Sequence, residues 1–333
     1  MRNERRGPRL AAVEETRQAR RAACSTPGSG LASTFQMSQE NLVGRTVAGY
    51  RLLQHVGEGG TATVYKAEHP ERGLAAVKVL RPRIAQDPVA VKRFLREAEF
   101  GSRITHPNIV RTLDFGEQEG TYYLALEWLD GEPLEKFAVR SGELAPPLVA
   151  SIIEQISAAL SGAHAQGIIH RDLKPANIMY NPATQRATLL DFGIARDTGH
   201  QAEERLTRTG FFVGTLQYVA PEALSGELVS HQADVYSLAT IAYYLLTGVL
   251  PYPGRSPREL FQQLLTQPPV PLNQAKKGLR FSEAIENAVM GGLERDLSKR
   301  FQSVDEFAAR FCGAARKDGD KKPAGFLGGL FKR

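Results

Sequence analysis

The densest chemistry in this 333-residue chain lies in two short runs. One is His170-Arg171-Asp172-Leu173-Lys174-Pro175-Ala176-Asn177; the other, nineteen positions after Asp172, is Asp191-Phe192-Gly193. Two carboxylates and a carboxamide converging on one place give hard oxygen ligands for a divalent cation. They also give a carboxylate able to orient a hydroxyl, and both are requirements of phosphoryl transfer from a nucleotide. Each piece alone reads equally well as a helix cap or a turn. The ordered set arising by chance is negligible.

Two further features support this chemistry. Gly57-Glu58-Gly59-Gly60-Thr61-Ala62-Thr63-Val64 falls between two predicted strands, where glycines let backbone amides approach an anion. Without context a flexible hairpin turn explains it as well, and a strand-to-strand position argues against a dinucleotide-binding turn. Lys78 follows Ala75-Ala76-Val77, and an ammonium in so apolar a run needs a partner. Glu97, nineteen residues on, supplies one from a predicted helix and leaves lysine donors free for phosphate oxygens. The same helix also offers Glu99, and an exposed pair would contribute little to stability.

The elements that must hold these residues change character along the chain. Between Tyr50 and Leu129, β-like runs (YRLLQHV, TATVYKAEH, AAVKVL, IVRTLDFGE, TYYLALEWL) alternate with glycine-bearing turns. One helix interrupts them, over Pro88–Ile104, with Val91, Phe94, Leu95 and Ala98 on one face. After Asp130 helices dominate. The clearest is Leu148–Ala165, where Ile152, Ile153, Ile156, Ala159, Leu160 and Ala163 form an apolar stripe that Gly167 can end. Others are expected near 220–225, 234–247, 257–266, 282–294 and 303–313. The reading is α+β: a small mostly-β lobe with one main helix, then a larger mostly-α lobe.

Composition is that of a globular protein, 42% hydrophobic and 23% charged. The net charge of +6 sits in the tails: seven Arg against four Glu in residues 1–40, and six basic against two acidic residues in 314–333. The middle, with 29 basic and 30 acidic residues, argues against a nucleic-acid-binding body. Cys24 and Cys312 show no disulfide or zinc spacing. Val235–Pro251 is too short for a comfortable membrane span and reads as a buried helix. With no signal peptide visible, a cytoplasmic, soluble protein is expected. The organisation expected is a basic, disordered extension over 1–44, lobes over 45–129 and 130–313, and a basic flexible tail over 314–333. Met37 offers an alternative start. The tail's Phe326, Leu327, Leu330 and Phe331 beside Lys332 and Arg333 allow a weak membrane or partner contact.

With HRDxxxxN, DFG, the glycine loop and Lys78 in place, and with Ala220-Pro221-Glu222, Asp234 and Lys299-Arg300-Phe301 further on, the chain from Tyr50 to Ala314 resembles the bacterial eukaryotic-like (Hanks-type) serine/threonine protein kinases. The resemblance implies a two-lobed kinase-like fold and ATP with Mg²⁺ as cofactors. Val56, Gly57, Glu58, Gly59, Gly60, Val64 and Ala76 would lie above the nucleotide and Met179 below. The Glu127 and Leu129 backbones would meet the adenine edge, with Leu126 as gatekeeper. Lys78, paired with Glu97, would hold the α and β phosphates, and Asn177 and Asp191 the metal. Asp172 would accept the substrate proton, Lys174 would stabilise the transferring group, and Thr215 would bridge the two. Glu222 would pair with Arg300, and Asp234 would hydrogen-bond the catalytic loop's backbone.

Lys174 and Gly214-Thr215 are similar to Ser/Thr rather than tyrosine kinases, so protein Ser/Thr hydroxyls are the acceptors implied. Thr207 and Thr209 stand where bacterial relatives autophosphorylate, and a homodimer is the arrangement a trans reaction would use. Ala62 replaces the third glycine of the nucleotide loop. Gly101 and Thr112 replace larger apolar residues, which favours an outward helix until a signal biases it. A pseudokinase is disfavoured because Lys78, Glu97, Asp172, Asn177 and Asp191 are all present; a small-molecule phosphotransferase is disfavoured by the intact HRD and APE motifs.

Overall fold

The computed structural model describes residues 41–191, 216–225 and 229–319. Its first lobe is a six-stranded antiparallel sheet of β1 (Thr46–Val47), β2 (Tyr50–Glu58), β3 (Ala62–His69), β4 (Gly73–Leu80), β5 (Thr112–Gln118) and β6 (Thr121–Glu127). The order across the sheet is β1-β2-β3-β4-β6-β5. Side-chain alternation gives the sheet two apolar faces. Ala75, Val77 and Val79 of β4 pack with Tyr50, Leu52, Tyr65, Ala67, Tyr123 and Ala125. Ala76 and Leu80 point the other way, to Leu124, Leu126 and the helix residues Phe94 and Ala98. Lys78 lies between Ala76 and Leu80 on that second face, so the strand period aims its ammonium towards the helix side.

That helix, α2 (Pro88–Arg103), starts where Asp87 accepts the Val89 N–H at 2.9 Å and Pro88 fills a position needing no donor. A single helical turn, α1 (Pro82–Ala85), precedes it and was not expected. Gly101 faces Thr112: a Cβ at Gly101 would stand 3.0 Å from Thr112 Oγ1, so the pair closes on itself with little room for a longer side chain.

The second lobe opens with a three-stranded sheet, β7 (Glu132–Pro133), β8 (Ile178–Asn181) and β9 (Arg186–Leu189), and is otherwise helical: α3 (Leu134–Ser141), α4 (Pro146–His164), α5 (Pro221–Ser225), α6 (Gln232–Thr247), α7 (Pro257–Thr266), α8 (Glu283–Gly292) and α9 (Val304–Gly319). The α4 stripe read from sequence is fully buried. In α6 every residue but Tyr244 is buried, and Gly248 ends it in the left-handed region at φ +70°. Among the described residues no helix is long and apolar enough to cross a membrane. The last helix continues six residues past the expected 313 and buries Ala315 completely. Cys312 is buried beside it, its thiol donating to the Ala150 carbonyl at 3.3 Å and pushed up to about 11 by burial.

Two glycines mark close approaches. Gly131, at φ +126°, leads from the first lobe into β7, and a Cβ there would lie 2.5 Å from the Tyr180 carbonyl oxygen of β8. Gly292 lets α8 settle on α6: a Cβ would stand 2.5 Å from Ala239 Cβ and 3.1 Å from the Phe307 ring. Gly292→Ala is therefore expected to lower the free energy of unfolding by about 1–3 kcal/mol through overpacking. Gly313→Ala, with nothing within 4 Å of its new methyl, should leave stability unchanged or raise it by up to ~1 kcal/mol. Denaturant midpoints of the two variants check the contrast.

Candidate active site

The site is assembled from both lobes. Lys78 on β4 makes its ion pair with Asp191, two residues beyond β9. The expected Lys78–Glu97 pair is not formed; Glu97 acts on the ammonium only through the field of its charge. The ammonium is a compact point charge on a flexible stem, and it has gone to the nearer carboxylate. Against the cost of burial, Asp191 and then Glu97 raise the Lys78 ammonium above its ordinary range, while Lys78 holds the Asp191 carboxyl below its own. Burial, then the Asp191 charge, push the Glu97 carboxyl up to about 7, with Lys78 pulling the other way.

The two residues just before Asp191 are held by backbone bonds. The Leu190 N–H donates to the Asn177 carbonyl at 2.8 Å, and the Val110 N–H to the Leu189 carbonyl at 2.9 Å. The first of these ties the segments carrying Asn177 and Asp191 to each other.

The loop bearing Asp172 turns sharply at Arg171, whose φ of +62° puts a non-glycine residue in the left-handed region, a conformation that costs about 1–2 kcal/mol. Asp234, fully buried at the start of α6, holds it there. Its Oδ2 accepts the His170 N–H at 2.8 Å and its Oδ1 the Arg171 N–H at 3.0 Å, while His164 Nε2 lies 2.7 Å from Oδ2. Beyond the turn, Lys174 Nζ donates to Asp172 Oδ2 at 3.1 Å. Asn177 Nδ2 donates to the Asp172 carbonyl at 2.8 Å and lies 3.3 Å from Asp172 Oδ2. With its amide nitrogen so engaged, Asn177 presents Oδ1 as its free ligand atom.

The residues therefore fit a magnesium ion. Asn177 Oδ1 and Asp191 supply two oxygen donors. Two protein oxygens, with phosphate and water completing the shell, is the arrangement Mg²⁺ favours.

The glycine-rich loop is the β2–β3 hairpin. Gly57 pairs with Val64, and a Cβ on Gly57 or Gly60 would meet nothing within 4 Å. Internal packing does not require these glycines, so they are free to admit a ligand over the backbone. Val64 lies directly opposite Lys78, and Ala76 opposite Leu126, which places all four on one face of the sheet. Val56 is 52% exposed at the rim. Met179 on β8 is half-buried in the second lobe. Glu127 donates its N–H to the Arg111 carbonyl at 2.9 Å and accepts the Arg111 N–H through Oε1. Leu129 has its backbone groups outside the sheet ladder.

Glu222 and Arg300 meet as expected, in a two-pronged pair at 2.6 and 3.0 Å between nearly inaccessible side chains. Thr207, Thr209, Gly214, Thr215, Phe192 and Gly193 lie outside the described residues. His164, the third partner of Asp234, carries no motif and was not singled out from sequence.

Two outcomes follow from this geometry. Asp234→Ala would leave two backbone N–H groups buried beside a strained Arg171. It is expected to destabilise the fold by about 3–5 kcal/mol and to speed hydrogen exchange at the His170 and Arg171 amides; wild-type stability in that variant would refute the buttress. A Glu97 carboxyl raised when folded holds a proton that the unfolded chain has released. The stability it contributes therefore falls as pH rises from about 4.5 to about 7, and is level above that. Melting temperatures from pH 4.5 to 8 should show this decline in wild type relative to Glu97→Gln, and parallel curves for the two would contradict it.

Comparison with known proteins agrees with this geometry. Residues 50–310 match the family model described as protein kinase domain. The serine/threonine-protein kinase pkn3 of Myxococcus xanthus is 37% identical over 277 residues, covering 81% of this chain and 51% of that protein. PknD of Mycobacterium tuberculosis is 36% identical over 267 residues, 80% of this chain and 40% of that one. The chain thus spans about half the length of the curated relatives it matches. Among solved structures, the M. tuberculosis PknI kinase domain is similar with a TM-score of 0.64 and 30% identity, covering 82% of this chain and 98% of that one. Rad53 1–466 in complex with AMP-PNP is similar with a TM-score of 0.65 and 29% identity, covering 79% and 64%. With its sheet lobe, its helical lobe and the HRD and DFG aspartates brought to one cleft, the chain belongs to the protein kinase domain family.

Proposed function

We propose that this chain transfers the γ-phosphoryl group of ATP to Ser and Thr hydroxyls of proteins. The observation that carries the reading is the constellation of Lys78 on Asp191, Lys174 on Asp172, and Asn177 tied to the Asp172 backbone with its oxygen free. These are a cation for phosphate oxygens, a carboxylate for a hydroxyl and two ligands for a metal.

In this reading Asp172 orients the acceptor hydroxyl and takes its proton as the hydroxyl oxygen bonds to the γ-phosphorus and the bond to the β-phosphate oxygen breaks. Lys174, already paired to Asp172, offsets charge on the transferring group, and Thr215 bridges the two. Lys78 positions the α and β phosphates, and Glu97 biases its charge. Gly57 to Gly60 cover the phosphates. Val56, Val64, Ala76 and Met179 enclose the base, with the Glu127 carbonyl and Leu129 backbone at its edge. Mg²⁺, held by Asn177 and Asp191, would neutralise phosphate charge. Catalysis is thus positioning and electrostatics with little covalent work for the protein.

The acceptor class follows from Lys174 two positions after Asp172, and the relatives named as serine/threonine kinases support it. We infer activation by phosphorylation of Thr207 or Thr209, in trans between two copies, at the place where ATP and Mg²⁺ are supplied, the cytoplasm. Incubation with Mg-ATP followed by mass spectrometry is expected to find phosphate on Thr207 or Thr209 in wild type. In Asp172→Asn the rate should fall by about 10²–10⁴. Equal labelling of the two proteins would overturn the assignment of Asp172.

A further inference from the structure

We propose that Arg81 is a positioning residue for the nucleotide loop, holding the loop's own carboxylate, Glu58, away from the phosphates that the loop covers. The inference rests on the kinase reading above and deepens it.

Glu58 stands between Gly57 and Gly59, in the segment assigned to the triphosphate. An unneutralised carboxylate there would repel a ligand carrying several negative charges. The structure supplies its counter-charge from outside the loop. Arg81 Nη2 lies 2.7 Å from Glu58 Oε2, and His55 Nε2 is 3.6 Å from Oε1. Arg81 also holds the loop through its backbone, its N–H donating to the Thr61 carbonyl at 2.9 Å. The β3–β4 ladder ends at Ala62 opposite Leu80, so this bond extends the pairing one step into the loop tip. Within the tip, the Gly59 N–H closes on the Ala62 carbonyl at 2.8 Å.

Arg81 is three residues beyond Lys78 on the same chain segment. The segment divides the labour: Lys78 takes the site's anions, and Arg81 takes the acid of the loop above them. Arg81 and Glu58 are 28% and 39% exposed, so the pair is accessible to solvent and able to open as the loop moves.

The test is calorimetric titration of wild type, Arg81→Gln, Glu58→Gln and the double variant with Mg-ATP and with adenosine, which lacks phosphates. Arg81→Gln should weaken ATP binding by about threefold or more, and adenosine binding by less than about twofold. The double variant should regain most of the loss, because the carboxylate that repelled the phosphates has gone. Glu58→Gln alone should tighten ATP, since it frees a guanidinium beside the loop.

An unchanged ATP affinity in Arg81→Gln, an equal loss for adenosine, or no recovery in the double variant would overturn the proposal. Were Arg81→Gln not to fold, Glu58→Gln on its exposed turn decides: tighter ATP binding supports the latch, and unchanged or weaker binding refutes it. Wild type failing to bind ATP would remove the kinase reading itself; wild type binding, with the variants unaffected, would remove only this inference.

Discussion

A single buried carboxylate, that of Asp234, fixes the loop on which the chemistry depends. Charge without water is costly unless every lone pair has a donor, and Asp234 meets that requirement with the His170 and Arg171 amides and the His164 ring. The donors gain a fixed partner in return, and the residue between them is kept in a conformation it would not otherwise hold. Asp172 and Asn177 follow within six residues, so the placement of these groups is inherited from one acid at the head of a helix buried at all but one position. The Glu222–Arg300 pair works on the same terms. Arg300 also donates to the Glu294 and Gln232 carbonyls and lies over the Tyr236 ring, so few of its donors are left unsatisfied.

Above the loop the balance of charge is different. Among the described residues, Asp172, Asp191 and Glu97 act on one another and on Lys78, while Lys174 pairs with Asp172, and burial with the Asp191 charge pushes the Glu97 carboxyl up to about 7. Glycines that pack against nothing leave space above them, and the register of β3, β4 and β6 gathers Val64, Lys78, Ala76 and Leu126 onto one face. Period-2 geometry alone achieves that gathering.

Much of this was legible in the residues. Spacing singled out Asp172, Asn177 and Asp191, alternation pointed to most strands of the first sheet, and the apolar stripe marked the buried face of α4. What escaped has physical reasons. β8 and β9 are four residues each, too short for alternation to stand out, and α3 offers only Leu134, Phe137 and Ala138 as its buried face. The end of α9 was placed too early because the polar composition beyond 313 hid the burial of Ala315. The Lys78–Glu97 pairing failed because sequence gives reach and not distance: Asp191 was also within reach and lies nearer. The Arg81–Glu58 contact joins residues 23 apart across a hairpin, and no local pattern encodes it.

The contact of Gly131 with the Tyr180 carbonyl bears on how the two lobes can move. With no space for even a methyl at Gly131 and β7 paired to β8 directly after it, the segment leading out of the first lobe is tied to the second. Any swing of the sheet lobe must therefore bend the chain upstream, at Leu129 and Asp130, and also past Val110, whose N–H is bonded to Leu189 of the second lobe. Met179, on β8, stays with the larger lobe during that swing, and one bend falls on Leu129, the residue we propose for the edge of the base. Under that proposal, opening the cleft and releasing the base are the same motion.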